Sequence, residues 1–412
     1  MKFFSRIALF FLSSVLVACG GGGGGSSLEA ALNPTFGMPT PTAHGFTAQI
    51  SNFDSSYTYA GTATASGSVA ISGSGLVTVT GVDSLTSSTA TITTSKSNAH
   101  GGSAQISATS SISFTNRTTA NGLNINNVAA VFVNGSNVYA GNNVGMGFFT
   151  NGGLGISTNG GTTFNNRTTT NGLGDNRVYG IFVAGSNVYA ATDGGLSIST
   201  NGGTTFTNFT VANGLGGNTV NWVYVSGSNV YAATNGGLSI STNGGTTFTN
   251  FTAANGLGSN TVSRLFVSGS KIYAATFGGL SISTNGGISF TNLTTGNGLG
   301  SNWLYDTYVD GNNVYAATNG GLSISNDGGI TFTNRTIANG LGDNDVRGVV
   351  AIGARVYVAT LGGVSISTDS GATFTNYTTS DGLGGNFVYS LFVSGSTVYA
   401  ATGGGLSIST QP

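Results

Sequence analysis

Residues 220–250 read VNWVYVSGSNVYAATNGGLSISTNGGTTFTN, four short runs of Val, Tyr, Ile, Thr and Phe separated by turns. A Ser-Gly-Ser turn separates the first two runs, and an Asn-Gly-Gly turn precedes each of the other two. β-Branched and aromatic residues favour strands, whereas Gly and Asn favour tight turns. The stretch therefore predicts four short antiparallel strands.

The same pattern recurs along the chain with a fixed period. The apolar residue after Gly-Gly returns every 42 residues, at Leu154, Leu196, Leu238, Leu280, Leu322, Val364 and Leu406. An aromatic residue later in the pattern falls at Phe114, Phe164, Phe206, Phe248, Phe290, Phe332 and Phe374, and its first step is 50 residues instead of 42. The eight additional residues lie within 141–149. Four short strands per repeat, with no helical period, indicate an all-β fold, a seven-bladed β-propeller over residues 111–412.

The two ends of the array complement each other. The last repeat stops at Pro412 without its fourth strand, and an unmatched fourth strand, 112–116, precedes the first repeat. We expect this N-terminal strand to complete the seventh blade and close the ring. Closure removes the exposed edges that a sheet with so few charges would otherwise leave unprotected.

The repeats resemble two known families. Residues 367–374 and 325–332 match the Asp-box pattern Ser-x-Asp-x-Gly-x-Thr-aromatic, and four other copies carry Asn in place of Asp. Residues 255–262, followed by Tyr-Ala-Ala-Thr and Gly-Gly-Leu, resemble the two-component-regulator propeller repeat. These resemblances imply the propeller fold and say little about function, because one fold hosts many functions.

Composition excludes several classes of protein. Charged residues make up 6% of the chain, 70 residues are Gly, and the net charge is -1. Helical bundles and alternating α/β enzymes need far more Glu, Lys and Gln on their exposed helix faces. A nucleic-acid partner is also excluded, since no basic run is present to contact phosphates.

The N-terminal residues resemble the signal of a bacterial lipoprotein. Two basic residues precede an apolar stretch that ends in Leu-Val-Ala-Cys, and Cys19 is the only Cys of the chain. We predict a lipoprotein signal peptide over 1–18, lipid attachment at Cys19, and a Gly-, Ser- and Pro-rich tether over 19–45. Gly after the Cys implies the outer membrane in the lipoproteins that this segment resembles, while the side of the membrane stays open.

Residues 46–110 form a separate segment with short alternating strands at 46–50, 68–71, 76–79 and 89–93. Regular turn signals between them predict a small β-sandwich, which resembles the immunoglobulin- or fibronectin-type modules of bacterial surface proteins. His44 and His100 lie in or beside this segment, and with no third ligand in view we predict no metal site.

Comparison of the seven copies with one another shows where they differ. Variation concentrates at the entry to the first strand and at the turn before Gly-Gly, which we expect on one face around the mouth of a central channel. Large aromatic and Arg residues, types enriched in binding hot spots, occur there. Drift in unconstrained loops would favour small polar residues instead. The candidate ligand-binding residues are Arg177, Tyr179, Trp222, Arg264, Phe277, Trp303, Tyr305, Asp306, Arg347, Phe387 and Tyr389.

The sequence favours a binding protein over an enzyme. Asp-boxes also occur in sialidases, which need an Arg cluster and a Tyr activated by Glu, but the only Glu, Glu29, lies outside the repeats. The repeats contain neither His nor Cys, which removes the commonest general base and the thiol nucleophile. We expect no cofactor and a protein or glycan partner. A periplasmic assembly or scaffold factor and a sialidase-like glycoside hydrolase are the alternatives.

Overall fold

The structure, a computed structural model, describes residues 28–83, 85–142 and 152–409. Residues 114–409 within this range form seven four-stranded antiparallel sheets, which confirms the all-β propeller. Successive innermost strands contact each other, and the seventh also contacts the first, so the sheets close into a ring. The signal peptide, Cys19 and most of the eight-residue insertion lie outside the described residues.

The strands of the first six blades follow chain order from the axis outward, and the seventh blade takes its outermost strand from the N-terminal side of the array. The innermost strands are β9 (Val128–Asn134), β13 (Val178–Ala184), β17 (Val220–Ser226), β21 (Val262–Ser268), β25 (Leu304–Asp310), β29 (Val346–Ile352) and β33 (Val388–Ser394). The second strands are β10 (Asn137–Asn142), β14 (Asn187–Thr192), β18 (Asn229–Thr234), β22 (Lys271–Thr276), β26 (Asn313–Thr318), β30 (Arg355–Thr360) and β34 (Thr397–Thr402).

The strands of the outer half of each blade are shorter, and the outermost ones are more exposed. The third strands are β11 (Gly153–Ser157), β15 (Gly195–Ser199), β19 (Gly237–Ser241), β23 (Gly279–Ser283), β27 (Gly321–Ser325), β31 (Gly363–Ser367) and β35 (Gly405–Ser409). The outermost strands are β8 (Phe114–Arg117), β12 (Asn165–Arg167), β16 (Thr207–Phe209), β20 (Thr249–Phe251), β24 (Thr291–Leu293), β28 (Thr333–Arg335) and β32 (Thr375–Tyr377).

The hydrophobic core lies between blades. In one cluster Tyr189 and Leu196 of blade 2 pack against Val220, Val223 and Val230 of blade 3, all of them at most 5% exposed. Both faces of the second and third strands are buried, which explains their continuous Val-Tyr-Ala-Ala-Thr and Leu-Ser-Ile-Ser runs. A single blade cannot bury these faces alone, so the ring is the unit that folds.

A short 3₁₀-helix connects each outermost strand to the next blade. In the copy after blade 3, the Thr252 hydroxyl accepts from Ala254 N, the Asn255 side chain accepts from Thr252 N, and Gly256 ends the turn with φ 95°. Only Gly adopts that backbone conformation at no steric cost. The seven helices are Thr119–Asn121, Thr169–Asn171, Val211–Asn213, Ala253–Asn255, Thr295–Asn297, Ile337–Asn339 and Thr379–Asp381.

The N-terminal strand closes the ring as expected. β8 pairs with β35 in the register Ser409 with Phe114 and Leu406 with Arg117. The Asn116 amide donates to Gly404 O at 2.9 Å and its carbonyl oxygen accepts from the Ser407 hydroxyl at 3.2 Å. The last blade is therefore built from the two ends of the repeat array.

The segment before the propeller folds into two sheets over one shared core. One sheet contains β1 (Thr40–Thr42), β2 (Gly45–Gln49), β5 (Leu76–Thr80) and β4 (Ser68–Ile71), and the other contains β3 (Thr58–Ala63), β6 (Ser87–Ser95) and β7 (Gly102–Thr109). The structure extends this unit N-terminally beyond residue 46, into the segment that the sequence assigned to the tether. Glu29 pairs with Ala99 and Phe36 with Ile50. Lys96 binds Glu29 at 2.7 Å.

None of the helices among the described residues is both long and apolar enough to cross a membrane.

Candidate functional site

The variable positions lie together on one end of the ring, here called the variable face. It carries the entries to the innermost strands and the turns between the second and third strands, which are hydrogen-bonded to each other. Phe277 N donates to Thr261 O at 3.2 Å, and Asn319 N to Trp303 O at 3.2 Å. The opposite, uniform face carries the turns between the first and second strands and between the third and outermost strands. These two turns are also hydrogen-bonded to each other: in blade 2, Gly202 N donates to Ser186 O at 3.0 Å.

Each innermost strand contains a one-residue β-bulge near its start on the variable face. In β17, for example, Val220 pairs with Thr234 and Trp222 with Ala233, so Asn221 has no partner in the ladder. A bulge redirects the side chain of the additional residue. The seven bulged residues are Ala129, Tyr179, Asn221, Ser263, Tyr305, Arg347 and Tyr389.

All seven bulged residues line one cavity of about 290 Å³ at the channel entrance, together with Asn235, Arg264 and Phe277. We call it the mouth cavity. One side chain from each of the seven blades thus reaches a common space. The bulged position and the ladder position after it both vary between repeats, whereas the ladder position before the bulge is Val or Leu in every blade. The convergence explains this variation at the bulge, because its side chain lines the cavity and not the core between blades.

An aromatic cluster lies on the rim above blades 4 and 5. Phe277 and Trp303 have ring centroids 4.7 Å apart, and Tyr305 lies 6.5 Å from Phe277 and 6.3 Å from Trp303. Phe277 is 40% exposed and Trp303 45% exposed. Large apolar rings held rigidly and left accessible are typical of binding hot spots.

Arg264 lies at the bottom of the mouth cavity and is held by two neighbours. Its guanidinium stacks over the Trp222 ring at 4.4 Å, and its Nη1 donates to Asp306 Oδ2 at 3.2 Å. The Asp306 carboxylate also accepts from Thr307 N at 2.8 Å and Val349 N at 3.2 Å. Burial raises the pKa of Asp306, and the positive charge of Arg264 and these hydrogen bonds oppose that increase.

The two other arginines of the site are also paired with aspartates. Arg347 stacks over the Tyr305 ring at 4.0 Å and binds Asp345 at 2.6 Å. Arg177 lies on the rim, where it binds Asp175 at 3.0 Å and also contacts Asp193. The site therefore combines aromatic surface with guanidinium groups whose charges are balanced locally.

Tyr179 and Tyr305 in the mouth cavity are neutral hydrogen-bonding groups. Burial raises the pKa of Tyr179 and of Tyr305 above the usual value for a phenol. A nucleophilic Tyr needs a change in the opposite direction, because the phenolate is the reactive form. Near neutral pH these side chains therefore present a phenol hydroxyl, which both donates and accepts.

The channel below the mouth cavity is lined by a ring of aromatic residues. Arg264 separates the mouth cavity from a second cavity of about 220 Å³, which it also lines. The centroids of neighbouring rings are 4.9–5.7 Å apart. Every blade except the sixth supplies an aromatic residue at this position, and the sixth supplies Val350. This aromatic belt consists of Phe132, Phe182, Tyr224, Phe266, Tyr308 and Phe392.

The structure divides the candidate residues into three groups. Those that line the mouth cavity are Tyr179, Arg264, Phe277, Tyr305, Arg347 and Tyr389. Trp222 and Asp306 lie deeper and line the channel. Arg177, Trp303 and Phe387 are on the rim, outside the lining of either cavity, and Phe387 is 58% exposed.

The list of candidates from sequence missed four residues that line the mouth cavity, which are Ala129, Asn221, Asn235 and Ser263. Their positions do vary between repeats, so the signal was present, but their small or common side chains did not distinguish them from drift. The aspartates that pair with Arg177 and Arg347 were also missed, because solvated turns also favour Asp.

No group of three His, Cys, Asp or Glu side chains that could hold a metal ion occurs among the described residues.

No protein-family model matches the chain, and no curated protein matches its sequence. Similar solved structures show the propeller fold. The extracellular domain of a two-component-system-like protein of B. thetaiotaomicron superposes with a TM-score of 0.60 at 17% identity, over 73% of this chain and 42% of that chain. A structure of YCF48 bound to D1 peptide gives 0.53 at 14% identity, over 69% of this chain and 93% of that chain.

A further similar structure is PorZ, a surface component of the type-IX secretion system of Porphyromonas gingivalis, with a TM-score of 0.50 at 15% identity, over 70% of this chain and 38% of that chain. The chain spans about two fifths of the length of the B. thetaiotaomicron extracellular domain. The first neighbours are therefore extracellular or surface-associated propeller domains, and at these identities the similarity concerns the fold.

Proposed function

We propose that this chain is a membrane-anchored surface or periplasmic lipoprotein that binds a protein or glycan through the variable face of its propeller. The observation that carries the proposal is the convergence of seven bulged side chains, one per blade, on the mouth cavity. Extracellular propeller neighbours are consistent with a binding or scaffold role. The adjacent exposed cluster of Phe277, Trp303 and Tyr305 supplies the apolar contact area.

We propose binding without catalysis. A sialidase-like mechanism requires arginines free to hold a substrate carboxylate, yet Arg177, Arg264 and Arg347 are each paired with Asp. The burial that raises the pKa of Tyr305 also disfavours a phenolate nucleophile. Hydrolysis of a fluorogenic sialoside or glycoside by the purified chain would contradict this part of the proposal.

Binding is tested with Trp303→Ala. A glycan array and a pull-down with the soluble ectodomain first identify a ligand. Trp303 is 45% exposed, so its truncation should leave the fold intact while it removes the aromatic contact area. Loss of such an anchor costs about 2 kcal/mol, which is roughly a 30-fold loss of affinity measured by calorimetry.

Ile330→Ala is the matched control for Trp303→Ala. Ile330 is 68% exposed and lies in a turn of the uniform face, so its truncation removes a comparable exposed apolar side chain far from the mouth cavity. Affinity should stay within about twofold of the parent. A loss of affinity in the control that equals the loss in Trp303→Ala would place the binding surface elsewhere.

The membrane anchor rests on the sequence at Cys19. Acyl chains on Cys19 would hold the chain at the membrane, since two or more chains anchor far more firmly than one. Cys19→Ala should release the protein into the soluble fraction and abolish labelling with a palmitate analogue. Unchanged labelling in Cys19→Ala would show that the lipid is attached elsewhere. Protease accessibility on intact cells separates a surface location from a periplasmic assembly or scaffold factor.

A further inference from the structure

The charges around the mouth cavity are compensated within the protein. Arg264 and Asp306 bind each other at 3.2 Å, and both side chains are 12% exposed. Arg347 and Asp345 bind each other at 2.6 Å, with side chains 29% and 24% exposed. Each guanidinium therefore meets a ligand with its charge already neutralised. Asp306 and Asp345 therefore already occupy the guanidinium groups that would otherwise be available to a ligand carboxylate.

Stacking restricts the guanidinium groups further. Trp222 holds the plane of Arg264, and Tyr305 holds the plane of Arg347. A guanidinium has five N–H groups. Arg264 donates one of them to Asp306, and Arg347 donates one to Asp345. Each arginine therefore keeps donors in a fixed direction for a neutral oxygen, such as a hydroxyl or ether.

The other lining groups both donate and accept hydrogen bonds. Asn221 Nδ2 donates to Asn235 Oδ1 at 2.9 Å and to Val262 O at 2.8 Å, so each amide keeps a second hydrogen-bonding group. Ser263 and three tyrosines add hydroxyls to the lining. Groups of this kind match a ligand whose own hydroxyls both donate and accept.

The size and the backbone geometry favour a saccharide over a peptide. The mouth cavity, at about 290 Å³, is at the lower end of the range for small-ligand pockets, roughly 300–1,000 Å³. Its lining is a circle of side chains from seven strands, each projected by a bulge, so it offers no straight strand edge for an extended peptide to pair with. Pyranose rings also have apolar C–H faces that stack on aromatic rings such as Tyr305 and Phe277.

We infer that the mouth cavity binds an uncharged saccharide and discriminates against its acidic counterparts, with Arg264 and Arg347 acting as neutralised donors. This inference rests on the proposed function and names the ligand class of the same site. An acidic saccharide would lose hydration on entry and find no uncompensated cation in return. The discrimination then depends on Asp306 and Asp345, which cancel the two guanidinium charges.

The experiment uses the full chain and an array on which neutral oligosaccharides are each printed beside a sialylated or uronate-containing counterpart. Neutral members should bind at least tenfold more tightly than their acidic counterparts. Their affinity should change by less than about twofold between 50 and 500 mM NaCl, because no net charge is matched across the interface. Tighter binding of the acidic members, or a steep decrease with salt, would overturn the inference.

Asp306→Asn and Asp345→Asn test the source of the discrimination. Each substitution leaves one guanidinium uncompensated and should shift the acidic-to-neutral affinity ratio by about tenfold toward acidic members. Asp345 is more exposed than Asp306, so its variant provides the measurement if Asp306→Asn fails to fold. Asp310→Asn is the matched control, because it changes the net charge by the same amount. Asp310 is exposed and lies at the uniform face, at the end of the strand that contains Asp306.

The outcomes separate this inference from the proposed function. An unchanged affinity ratio in both Asp306→Asn and Asp345→Asn, or an equal shift in Asp310→Asn, overturns the charge argument. If the pull-down captures a protein whose binding is lost in Trp303→Ala, and no saccharide on the array binds, the inference is overturned and the proposed function stays in place. A ligand that is insensitive to Trp303→Ala overturns the proposed function itself.

Discussion

The repeated turns show how the same backbone is stabilised by either Asp or Asn. Asp369 accepts hydrogen bonds from the Ser367 hydroxyl at 2.6 Å and from Thr373 N at 2.9 Å. Asn243 makes the equivalent bonds in blade 3, where its Oδ1 accepts from Thr247 N at 3.0 Å. The geometry of the Asp-box is thus kept in copies that lack the Asp. The charge differs, and so does one hydrogen bond: Thr373 Oγ1 donates to Asp369 Oδ2, whereas Asn243 Nδ2 donates to Thr247 Oγ1.

This difference predicts a pH dependence of stability. Burial raises the pKa of Asp369, but hydrogen bonds from Ser367 and Thr373 lower it more, to about 2. An unfolded Asp ionises near pH 3.9, so the carboxylate contributes stability above about pH 4 that is lost as the pH falls toward 2. Urea titrations measure the free energy of unfolding at each pH. Between pH 5 and pH 2 this free energy should therefore decrease less in Asp369→Asn than in the parent.

Asn243→Asp is the reciprocal control. It should add to blade 3 the acid-dependent contribution that Asp369→Asn removes, since the two turns have the same hydrogen-bond donors. If both variants and the parent lose stability in parallel between pH 5 and pH 2, the turn carboxylates do not contribute to acid unfolding.

The strands illustrate how one position can serve the blade or the site. In β17 a period of two would place Asn221 and Val223 on the same side of the sheet. The bulge between Val220 and Trp222 instead sends Asn221 into the mouth cavity, while Val223 stays in the core between blades. Local sequence predicted the strand but not the bulge, because a bulge depends on how the strand pairs with its neighbour.

The third and outermost strands are tied together by a repeated polar contact. In blade 3 the Ser239 hydroxyl donates to Asn250 Oδ1 at 2.9 Å and accepts from Gly216 N at 2.9 Å. In blade 1 Gly155 replaces this Ser, and the buried Asn166 Oδ1 has no hydrogen-bond partner among the described residues. The blade that carries the insertion thus also departs from the shared internal bonding.

The ring is closed by packing of the seventh blade against the first and by pairing between distant parts of the chain, β8 and β35. Asn116 and Ser407 are joined across 291 residues, with the same side-chain pair that joins Asn250 and Ser239 within blade 3. Without β8, the strand Gly405–Ser409 would expose an apolar edge with almost no charge to protect it. Closure therefore protects the last blade and also holds the first and seventh blades side by side.

Truncation tests the importance of closure. A chain that begins at residue 120 lacks β8 and should aggregate or melt well below a chain that begins at residue 105, which keeps it. The reason is that the shorter chain leaves Leu406 and Ile408 without their partner strand. Differential scanning calorimetry with light scattering measures both effects, and equal melting temperatures would show that the other contacts between blades suffice.

The fold, the face of the candidate site and part of its lining could be predicted from the sequence, whereas the bulges and the pairing of Arg264 with Asp306 could not. Seven copies of one pattern determine strand content, blade number and the completing strand at Phe114, since each property is local or counts repeats. Comparison of the copies also located the variable positions, because positions that pack against the blade cannot change. The strands β1, β3 and β7 of the N-terminal unit were missed, since their Gly-, Ser- and Thr-rich runs carry weak alternation.

The sequence by itself determined a closed propeller of seven four-stranded blades with one uniform and one variable face. Only the tertiary structure decided that Asp306 neutralises Arg264 and that Arg347 stacks on Tyr305. Arg264 and Asp306 are 42 residues apart in the chain, as are Arg347 and Tyr305, and each pair joins neighbouring blades. Such contacts depend on which side chains converge at the axis, and convergence is a property of the closed ring that no single repeat contains.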